Sequence, residues 1–269
     1  MPRFSANLGF LFTEYSEIER VAAAAAAGFK AVEMHWPYQV PAAEMRSALS
    51  RSQVTMLGLN TPVGNVAAGD FGLGALSGRE SEFQQSVDQA VSYGHAIGAT
   101  AVHCMSGLVS PDAVSVAEQT FVANLKLAAD KADQAGMTLL IEPINHRDKP
   151  GYFLHTIEQA ASIIGQVGRR NLRIMFDCYH TQIMQGDLTR RLKDYLELIG
   201  HVQIAAVPSR AEPDEGEIDY HEICRSLDSI GYGGWIGAEY KPRGRTEDGL
   251  GWLSTWSQGQ SSNDRGAVA

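Results

Sequence analysis

The chain has 269 residues, of which 44% are hydrophobic, and it carries a formal net charge of -9. This size and composition allow one large domain with a substantial core, and the acidic balance argues against a broad basic surface for nucleic acid. The three cysteines are widely separated and form no CxxC pair, which predicts a reducing compartment. The first residues resemble no signal peptide, and no run of about 18 apolar residues occurs, so we expect a soluble cytoplasmic protein without a membrane span.

Short apolar segments alternate with longer helical patterns along the chain, and this alternation favours βα units around a parallel sheet. The predicted strands cover residues 4–8, 31–33, 54–59, 101–104, 138–142 and 173–177, a segment ending near residue 203, and residues 235–239. The predicted helices cover residues 15–27, 42–50, 79–97, 112–134, 156–167, about 188–198, 220–230 and 246–256. Asp187 is predicted to cap the sixth of these helices.

Eight strands and eight helices predict a single (β/α)8 TIM barrel, an α/β fold, over residues 1–256, and the polar tail at 257–269 is expected to fray. Active sites of such barrels lie at the C-terminal ends of the strands. A glycine-rich stretch over residues 63–78 is long for a loop in a compact domain, which predicts a lid or an oligomer contact. It lacks the lysine of a phosphate-binding P-loop, so we expect no nucleotide site there.

Four consecutive strand-like segments carry an oxygen ligand for a metal at or near their C-terminal ends. These residues are Glu142, Asp177, Gln203 and Glu239. Three carboxylates and one amide oxygen form an all-oxygen set, which suits Mg²⁺ or Mn²⁺ better than zinc. The alternative is that four unrelated rim residues form ordinary hydrogen bonds, but unpaired carboxylates gathered at one end of a barrel would repel each other.

A metal flanked by two glutamates suits proton transfer next to a carbonyl group. A 2-hydroxy-carbonyl substrate that binds the metal through both oxygens has its carbonyl polarised and its enediolate stabilised. One glutamate removes the proton α to the carbonyl, and the other returns it at the neighbouring carbon. The product is an aldose–ketose type isomer or an epimer.

Four motifs surround these residues: Glu142-Pro143-Ile144-Asn145, Asp177-Cys178-Tyr179-His180, His201-Val202-Gln203-Ile204 and Glu239-Tyr240-Lys241-Pro242. With further segments in order from about residue 2 to residue 256, they resemble the hydroxypyruvate isomerase family of the xylose-isomerase-like TIM barrels. The resemblance implies that Glu142 and Glu239 form the acid/base pair, and that they bind the metal together with Asp177 and Gln203. By similarity with related ketose epimerases, it implies that His180 and Arg210 hold substrate oxygens.

The family includes hydroxypyruvate isomerases, which interconvert hydroxypyruvate and tartronate semialdehyde, and also 2-oxo-tetronate isomerases. The run Glu-Pro-Ile-Asn-His at 142–146, followed by Pro-Gly-Tyr at 150–152, is more similar to the hydroxypyruvate branch. We therefore expect the hydroxypyruvate reaction, with the 2-oxo-tetronate reaction as the alternative. The chain departs from the family at Met34-His35-Trp36, where a hydrophobic aromatic pair is usual. Fold relatives often associate, which implies a homodimer or homotetramer.

Three other functions stay open. A ketose 3-epimerase on the same scaffold needs a longer pocket and usually has a histidine where Gln203 stands. A DNA-repair protein like endonuclease IV needs a histidine-rich trinuclear zinc site and a basic groove, which the acidic net charge disfavours. A non-catalytic binding protein has no need of two glutamates as an acid/base pair. Of the other residues near the strand ends, His103 is expected to be structural, Cys178 to be a packing residue, and His35 to be either structural or functional.

Overall fold

Short apolar runs bounded by turn residues form the strands, as is typical of parallel strands covered on both faces. In the computed structural model, which describes residues 2–258, eight such strands pair in parallel and in chain order to form a closed barrel. The strands are β1 (Arg3–Asn7), β2 (Ala31–Met34), β3 (Thr55–Asn60), β4 (Ala101–His103), β5 (Thr138–Ile141), β6 (Leu172–Asp177), β7 (Ile199–Ile204) and β8 (Trp235–Ala238).

Helices occupy the connections between successive strands and cover the outside of the barrel. Within residues 2–258, the α-helices are α1 (Glu17–Ala26), α2 (Ala42–Ser52), α3 (Glu80–Ile97), α4 (Val114–Gln134), α5 (Ile157–Val167), α6 (Cys178–Met184), α7 (Leu188–Asp194), α8 (Tyr220–Ser229) and α9 (Gly251–Gln258). Short 3₁₀ segments lie at Val66–Ala68, Pro111–Ala113, Leu196–Leu198 and Thr246–Gly249. The predicted (β/α)8 barrel is confirmed.

Helix α6 is absent from the sequence-based prediction, which placed a single helix between β6 and β7. It begins directly after Asp177, whose Oδ1 accepts a hydrogen bond of 2.7 Å from the Tyr179 backbone N–H. Its 7 residues are too few to display a helical hydrophobic period. The predicted cap at Asp187 is confirmed in position only, because Asp187 has a φ of 55° and its side chain forms no capping hydrogen bond.

The main apolar core lies between the barrel wall and the helices, while part of the barrel interior stays open. Phe121 on α4 and Ile157 on α5 are fully buried, and each such side chain stabilises the fold by about 1.5–3 kcal/mol. Inside the barrel, the small residues Gly58, Ala101 and Gly200 line a cavity of about 160 Å³. This interior therefore has room for buried polar side chains below the strand ends.

The glycine-rich segment 63–78 packs against the loop that follows β4. The Gly74 N–H donates a hydrogen bond of 3.1 Å to the Met105 carbonyl. At its C-terminal end, Arg79 forms an ion pair of 2.8 Å with Asp70. These contacts fix the segment beside the strand ends, and the roles of lid and oligomer contact stay predictions.

None of the helices in residues 2–258 is both long and apolar enough to cross a bilayer. Helix α9 ends at Gln258, and residues 259–269, most of the predicted tail, lie outside the described residues. The cysteines Cys104, Cys178 and Cys224 are buried and free. Burial raises the pKa of the Cys178 thiol, as expected of a packing residue rather than a nucleophile.

Candidate active site

The four oxygen-bearing residues predicted from the sequence meet at the C-terminal ends of β5 to β8. Glu142 follows β5, Asp177 ends β6, Gln203 lies near the end of β7 and Glu239 follows β8. All four are buried, and the most exposed, Glu239, is 6% accessible. Ligand atoms of Glu142, Asp177, Glu239 and His180 lie within 4.8 Å of one another. The strand register places Asp177 directly beside Gln203, which adds the amide to this group.

Glu239 is hydrogen bonded at both carboxylate oxygens. Its Oε1 accepts from Asn7 Nδ2 at 2.9 Å and lies 3.0 Å from His35 Nε2, and its Oε2 accepts from the Arg210 guanidinium at 2.9 Å. Burial raises the pKa of Glu239, but the hydrogen bond from His35 and the charge of Arg210 outweigh burial and bring the pKa to about 2. Glu239 is therefore a charged carboxylate at neutral pH.

Glu142 and Asp177 have fewer hydrogen-bond donors around their carboxylates than Glu239 has. Glu142 Oε1 and Asp177 Oδ2 are buried, and neither has a hydrogen-bond partner within residues 2–258. Burial and the charges of Glu239 and Asp177 raise the pKa of Glu142 well above its usual range. Burial and the charge of Glu239 raise the pKa of Asp177 to about 7. The cluster therefore holds an excess of negative charge that protons or a cation must balance.

Gln203 keeps its amide oxygen free and uses its amide nitrogen as a donor. The Nε2 group donates a hydrogen bond of 2.8 Å to Glu33 Oε2. The Oε1 atom is buried and has no hydrogen-bond partner in the described part of the chain. Gln203 lines the interior cavity together with Glu142 and Glu239. A free amide oxygen is thus available beside the carboxylates.

The Nε2 atom of His180 faces the carboxylates as a hydrogen-bond donor. Its Nδ1 accepts from the Asn145 backbone N–H at 3.3 Å and from Asn145 Nδ2 at 2.6 Å. Burial and the charge of Arg210 lower the pKa of His180 well below its usual range, so the ring is neutral. A neutral imidazole that accepts at Nδ1 carries its proton on Nε2. That Nε2 lies 3.6 Å from Asp177 Oδ2 and 3.7 Å from Glu142 Oε1.

The donor set fits a hard divalent cation. Buried polar atoms normally have a hydrogen-bond partner, yet among the described residues the cluster leaves one oxygen without a partner on each of Glu142, Asp177 and Gln203. Carboxylate and amide oxygens are the ligand types that Mg²⁺ and Mn²⁺ prefer. His180 belongs to the same group, but the proton on its Nε2 favours donation to an oxygen over metal ligation. Glu239 completes the oxygen set.

Arg210 lies in the loop after β7, clamped between two aromatic rings. Its guanidinium carbon lies 4.9 Å from the Phe10 ring centroid and 5.0 Å from that of Tyr179. It forms ion pairs with Glu239 at 2.9 Å and with Asp148 at 3.3 Å. Burial lowers its pKa, but the surrounding carboxylates outweigh burial and raise it. Arg210 therefore reaches the predicted site, with its charge already shared between two carboxylates.

A pocket of about 520 Å³ opens above the cluster. Glu142, His180 and Glu239 belong to its lining. Lys149 and Lys241 line it as well, and neither lysine forms an ion pair with any residue in 2–258. The Lys149 ammonium lies 3.8 Å from the Phe71 ring centroid, so the glycine-rich segment 63–78 contributes a wall. Two ammonium groups are therefore available to a small anion, in a pocket that the carboxylates of Glu142, Asp148 and Glu239 also line.

The sequence analysis assigned no defined role to several residues of the site, and it left His35 open between a structural and a functional role. Asn7 and His35 bind Glu239, Asn145 orients His180, Glu33 binds Gln203, and Lys149 lines the pocket. The sequence carried a signal for Glu33, which is a charged residue at the end of a short apolar strand, as Glu142 is. The other contacts join distant parts of the chain, so sequence spacing does not reveal them.

The chain matches a family model described as "Xylose isomerase-like TIM barrel" over residues 21–256. It is 46% identical over 257 residues to a "2-oxo-tetronate isomerase" of Cupriavidus necator, covering 95% of this chain and 99% of that protein. It is 44% identical over 271 residues to a "putative hydroxypyruvate isomerase" of Danio rerio, covering 98% of each. A crystal structure described as "AP endonuclease, family 2" from Brucella melitensis superposes with a TM-score of 0.92 at 44% identity, covering 94% of this chain and 98% of that one.

Proposed function

Because this chain belongs to the xylose isomerase-like TIM barrel family, and within it to the hydroxypyruvate isomerases and their isomerase relatives, we propose that it interconverts hydroxypyruvate and tartronate semialdehyde. The observation that carries the proposal is the pair of buried glutamates, Glu142 and Glu239, beneath a pocket that Lys149 and Lys241 also line. Their strands, β5 and β8, are separated by two others around the barrel. The two carboxylates therefore approach a bound substrate from different sides.

A divalent metal, Mg²⁺ or Mn²⁺, fits the oxygen set of Glu142, Asp177, Gln203 and Glu239. When bound, it would polarise the substrate carbonyl and stabilise negative charge on the substrate oxygens. The unpartnered buried oxygens support this assignment, and so does the excess of carboxylate charge.

Side chains of the protein carry out the proton transfers. One glutamate of the pair takes the proton from C3 of hydroxypyruvate, and the electron pair of that C–H bond forms the C2–C3 double bond of an enediolate. The other glutamate delivers a proton to C2. Transfer of the hydroxyl proton from O3 to O2 leaves an aldehyde at C3 and a hydroxyl at C2, with no external oxidant or reductant. We assign the Nε2–H of His180 and the guanidinium of Arg210 to hold the substrate oxygens during this exchange.

The cations of the pocket favour an acid over a neutral ketose. Arg210 is already paired with Glu239 and Asp148, whereas Lys149 and Lys241 line the same pocket without an ion pair to a described residue. A carboxylate gains a charge-assisted hydrogen bond from such an ammonium group, and a neutral sugar does not. This difference supports the acid isomerase over a ketose 3-epimerase.

A 2-oxo-tetronate is the second candidate substrate. The observation that favours it is the 46% identity to the 2-oxo-tetronate isomerase of Cupriavidus necator. The extra carbon of a tetronate would lie in the pocket of about 520 Å³ above the glutamates. The chemistry would be the same, because the carbonyl and the adjacent hydroxyl keep their arrangement.

Nucleic acid is not supported as a substrate. Within residues 2–258, one group of potential metal ligands occurs, and it contains three carboxylates and a single histidine. A histidine-rich trinuclear zinc site, which the endonuclease alternative requires, is a different donor set. We further propose that the protein acts in the cytoplasm, since its cysteines are buried free thiols, and that it forms a homodimer or homotetramer.

Glutamine substitutions test the acid/base assignment. Glu142→Gln and Glu239→Gln keep the size of each side chain but remove the group that carries the proton, so each is expected to abolish turnover of hydroxypyruvate. The matched control is Glu212→Gln, which changes a buried glutamate that instead contacts Arg243. Circular dichroism checks that the variants fold. A near-normal kcat in a glutamate variant would remove that residue from the acid/base role.

A further inference from the structure

A buried carboxylate below the metal-ligand candidates is not used by the proposed reaction. Glu33 lies on β2 and is 4% exposed. Its Oε2 accepts from Gln203 Nε2 at 2.8 Å. Its Oε1 lies 3.1 Å from Ser5 Oγ and 3.1 Å from His201 Nε2. Glu33 therefore links β2 to its neighbour β1 and, across the barrel interior, to β7, and each of its contacts is with a group able to donate a hydrogen bond.

The barrel wall makes room for this carboxylate. A Cβ atom on Gly237, in β8, would lie 2.1 Å from Glu33 Oε1 and 2.8 Å from His201 Nε2. Both distances are shorter than a side-chain carbon can tolerate, so any larger residue at position 237 would displace the pair. The small residue is thus matched to the space that Glu33 occupies.

The contact between Glu33 and Gln203 decides which end of the amide is free. An amide has a donor end and an acceptor end of nearly the same size. If the NH₂ group of Gln203 faced the carboxylates of Glu142 and Asp177, it would donate hydrogen bonds to them and could not bind a cation. The Glu33 oxygens accept from the donor-capable groups around them, so Oε2 takes the NH₂ group of Gln203 and leaves Gln203 Oε1 as the free atom.

We propose that Glu33 is a positioning residue that fixes the amide of Gln203 with its oxygen available to a divalent cation. This inference rests on the metal site proposed above. It states that Glu33 raises the affinity for the cation without contacting the cation. Hydrogen-bond partners that orient metal ligands typically change metal affinity by about 10- to 100-fold when they are removed. Glu33 is expected to act within that range.

The first test measures Mn²⁺ binding to the full chain by isothermal titration calorimetry and by the EPR signal of free Mn²⁺. Glu33→Met keeps a side chain of similar length but offers no acceptor, so the Kd for Mn²⁺ is expected to rise by about 10- to 100-fold. The matched control, Glu212→Met, removes a buried glutamate outside the site and is expected to leave the Kd unchanged in folded protein.

A conservative variant and a double-mutant cycle give a second test. Glu33→Gln keeps an amide oxygen that can accept from Gln203 Nε2, so its Kd for Mn²⁺ is expected to lie closer to the native value than that of Glu33→Met. In a Gln203→Met background, which lacks the amide, Glu33→Met is expected to change the Kd little further, whereas a merely structural role for Glu33 would weaken binding equally in both backgrounds.

The outcomes separate this inference from the metal site itself. If Glu33→Met binds Mn²⁺ as the native chain does, while Glu142→Gln binds it much more weakly, the positioning role is overturned and the metal site stands. An equal loss of Mn²⁺ affinity on Glu33→Met in the native and the Gln203→Met backgrounds would also overturn the positioning role. If the native chain binds no Mn²⁺, both the metal site and the role of Glu33 are overturned.

Discussion

Replacing Lys149 with methionine tests whether the pocket recognises an acid through its lysines. Lys149 is half-buried, lines the pocket and lies over the Phe71 ring, without an ion pair to a described residue. Lys149→Met removes the ammonium group and keeps most of the aliphatic side chain. A hydrogen bond to a charged group contributes about 1.5–3 kcal/mol, which corresponds to a rise in KM of about 10- to 150-fold for hydroxypyruvate.

The effect on kcat separates Lys149 from Arg210. No hydrogen bond or ion pair joins Lys149 to Glu142 or Glu239, so Lys149→Met is expected to leave kcat nearly unchanged and to flatten the dependence of KM on salt. Arg210 is bonded to Glu239, so Arg210→Ala is expected to lower kcat as well as raise KM for an acid. Lys126→Met, which removes an exposed lysine on α4, controls for the change in net charge.

Steady-state kinetics at low and moderate ionic strength measure these effects. A KM for hydroxypyruvate within twofold of the native value in Lys149→Met would refute a role of this lysine in binding the carboxylate. A fall in kcat as large as the rise in KM would instead show that the substitution disturbs the glutamates.

Two further predictions concern stability. Mn²⁺ at about 100 times its Kd is expected to stabilise the fold by about 2.7 kcal/mol, which raises the Tm. EDTA should reverse this rise, and Asp177→Asn should abolish it. An unchanged Tm in the native chain would contradict the metal site. Burial lowers the pKa of His103 to about 4, so the unfolded chain binds a proton at His103 below about pH 6.5 that the folded chain excludes. The free energy of unfolding should therefore fall as the pH drops from about 6.5 towards 4, and His103 should account for about 3 kcal/mol of this fall. Urea titrations over this pH range measure it. If His103→Gln loses as much stability as the native chain, His103 does not contribute.

The barrel fold and the carboxylates of the candidate site could be predicted because both follow from local sequence patterns. A carboxylate directly after a short apolar run, as at Glu142 and Asp177, is expensive to bury in mid-strand and therefore marks a strand end. Parallel strands in chain order then place all such ends at one mouth of the barrel. The same patterns predicted the strand order and every helix of the described residues except α6.

The remaining features depend on contacts between distant segments, which local patterns do not encode. Glu33 and Gln203 are 170 residues apart, and His35 and Glu239 are 204 residues apart. Helix α6 is short and starts on the capping side chain of Asp177, so it lacks a repeating pattern of its own. These positions required the closed barrel before their partners could be identified.

Proton exchange followed by NMR in D₂O tests the central claim most directly. The purified, Mn²⁺-supplemented protein is incubated separately with hydroxypyruvate, a 2-oxo-tetronate and a ketohexose. We predict deuterium incorporation at carbon together with formation of tartronate semialdehyde from hydroxypyruvate, and loss of both signals in Glu142→Gln. Turnover of the tetronate alone would move the protein to its second candidate substrate. Exchange on the ketohexose alone, or on none of the three, would contradict an acid isomerase.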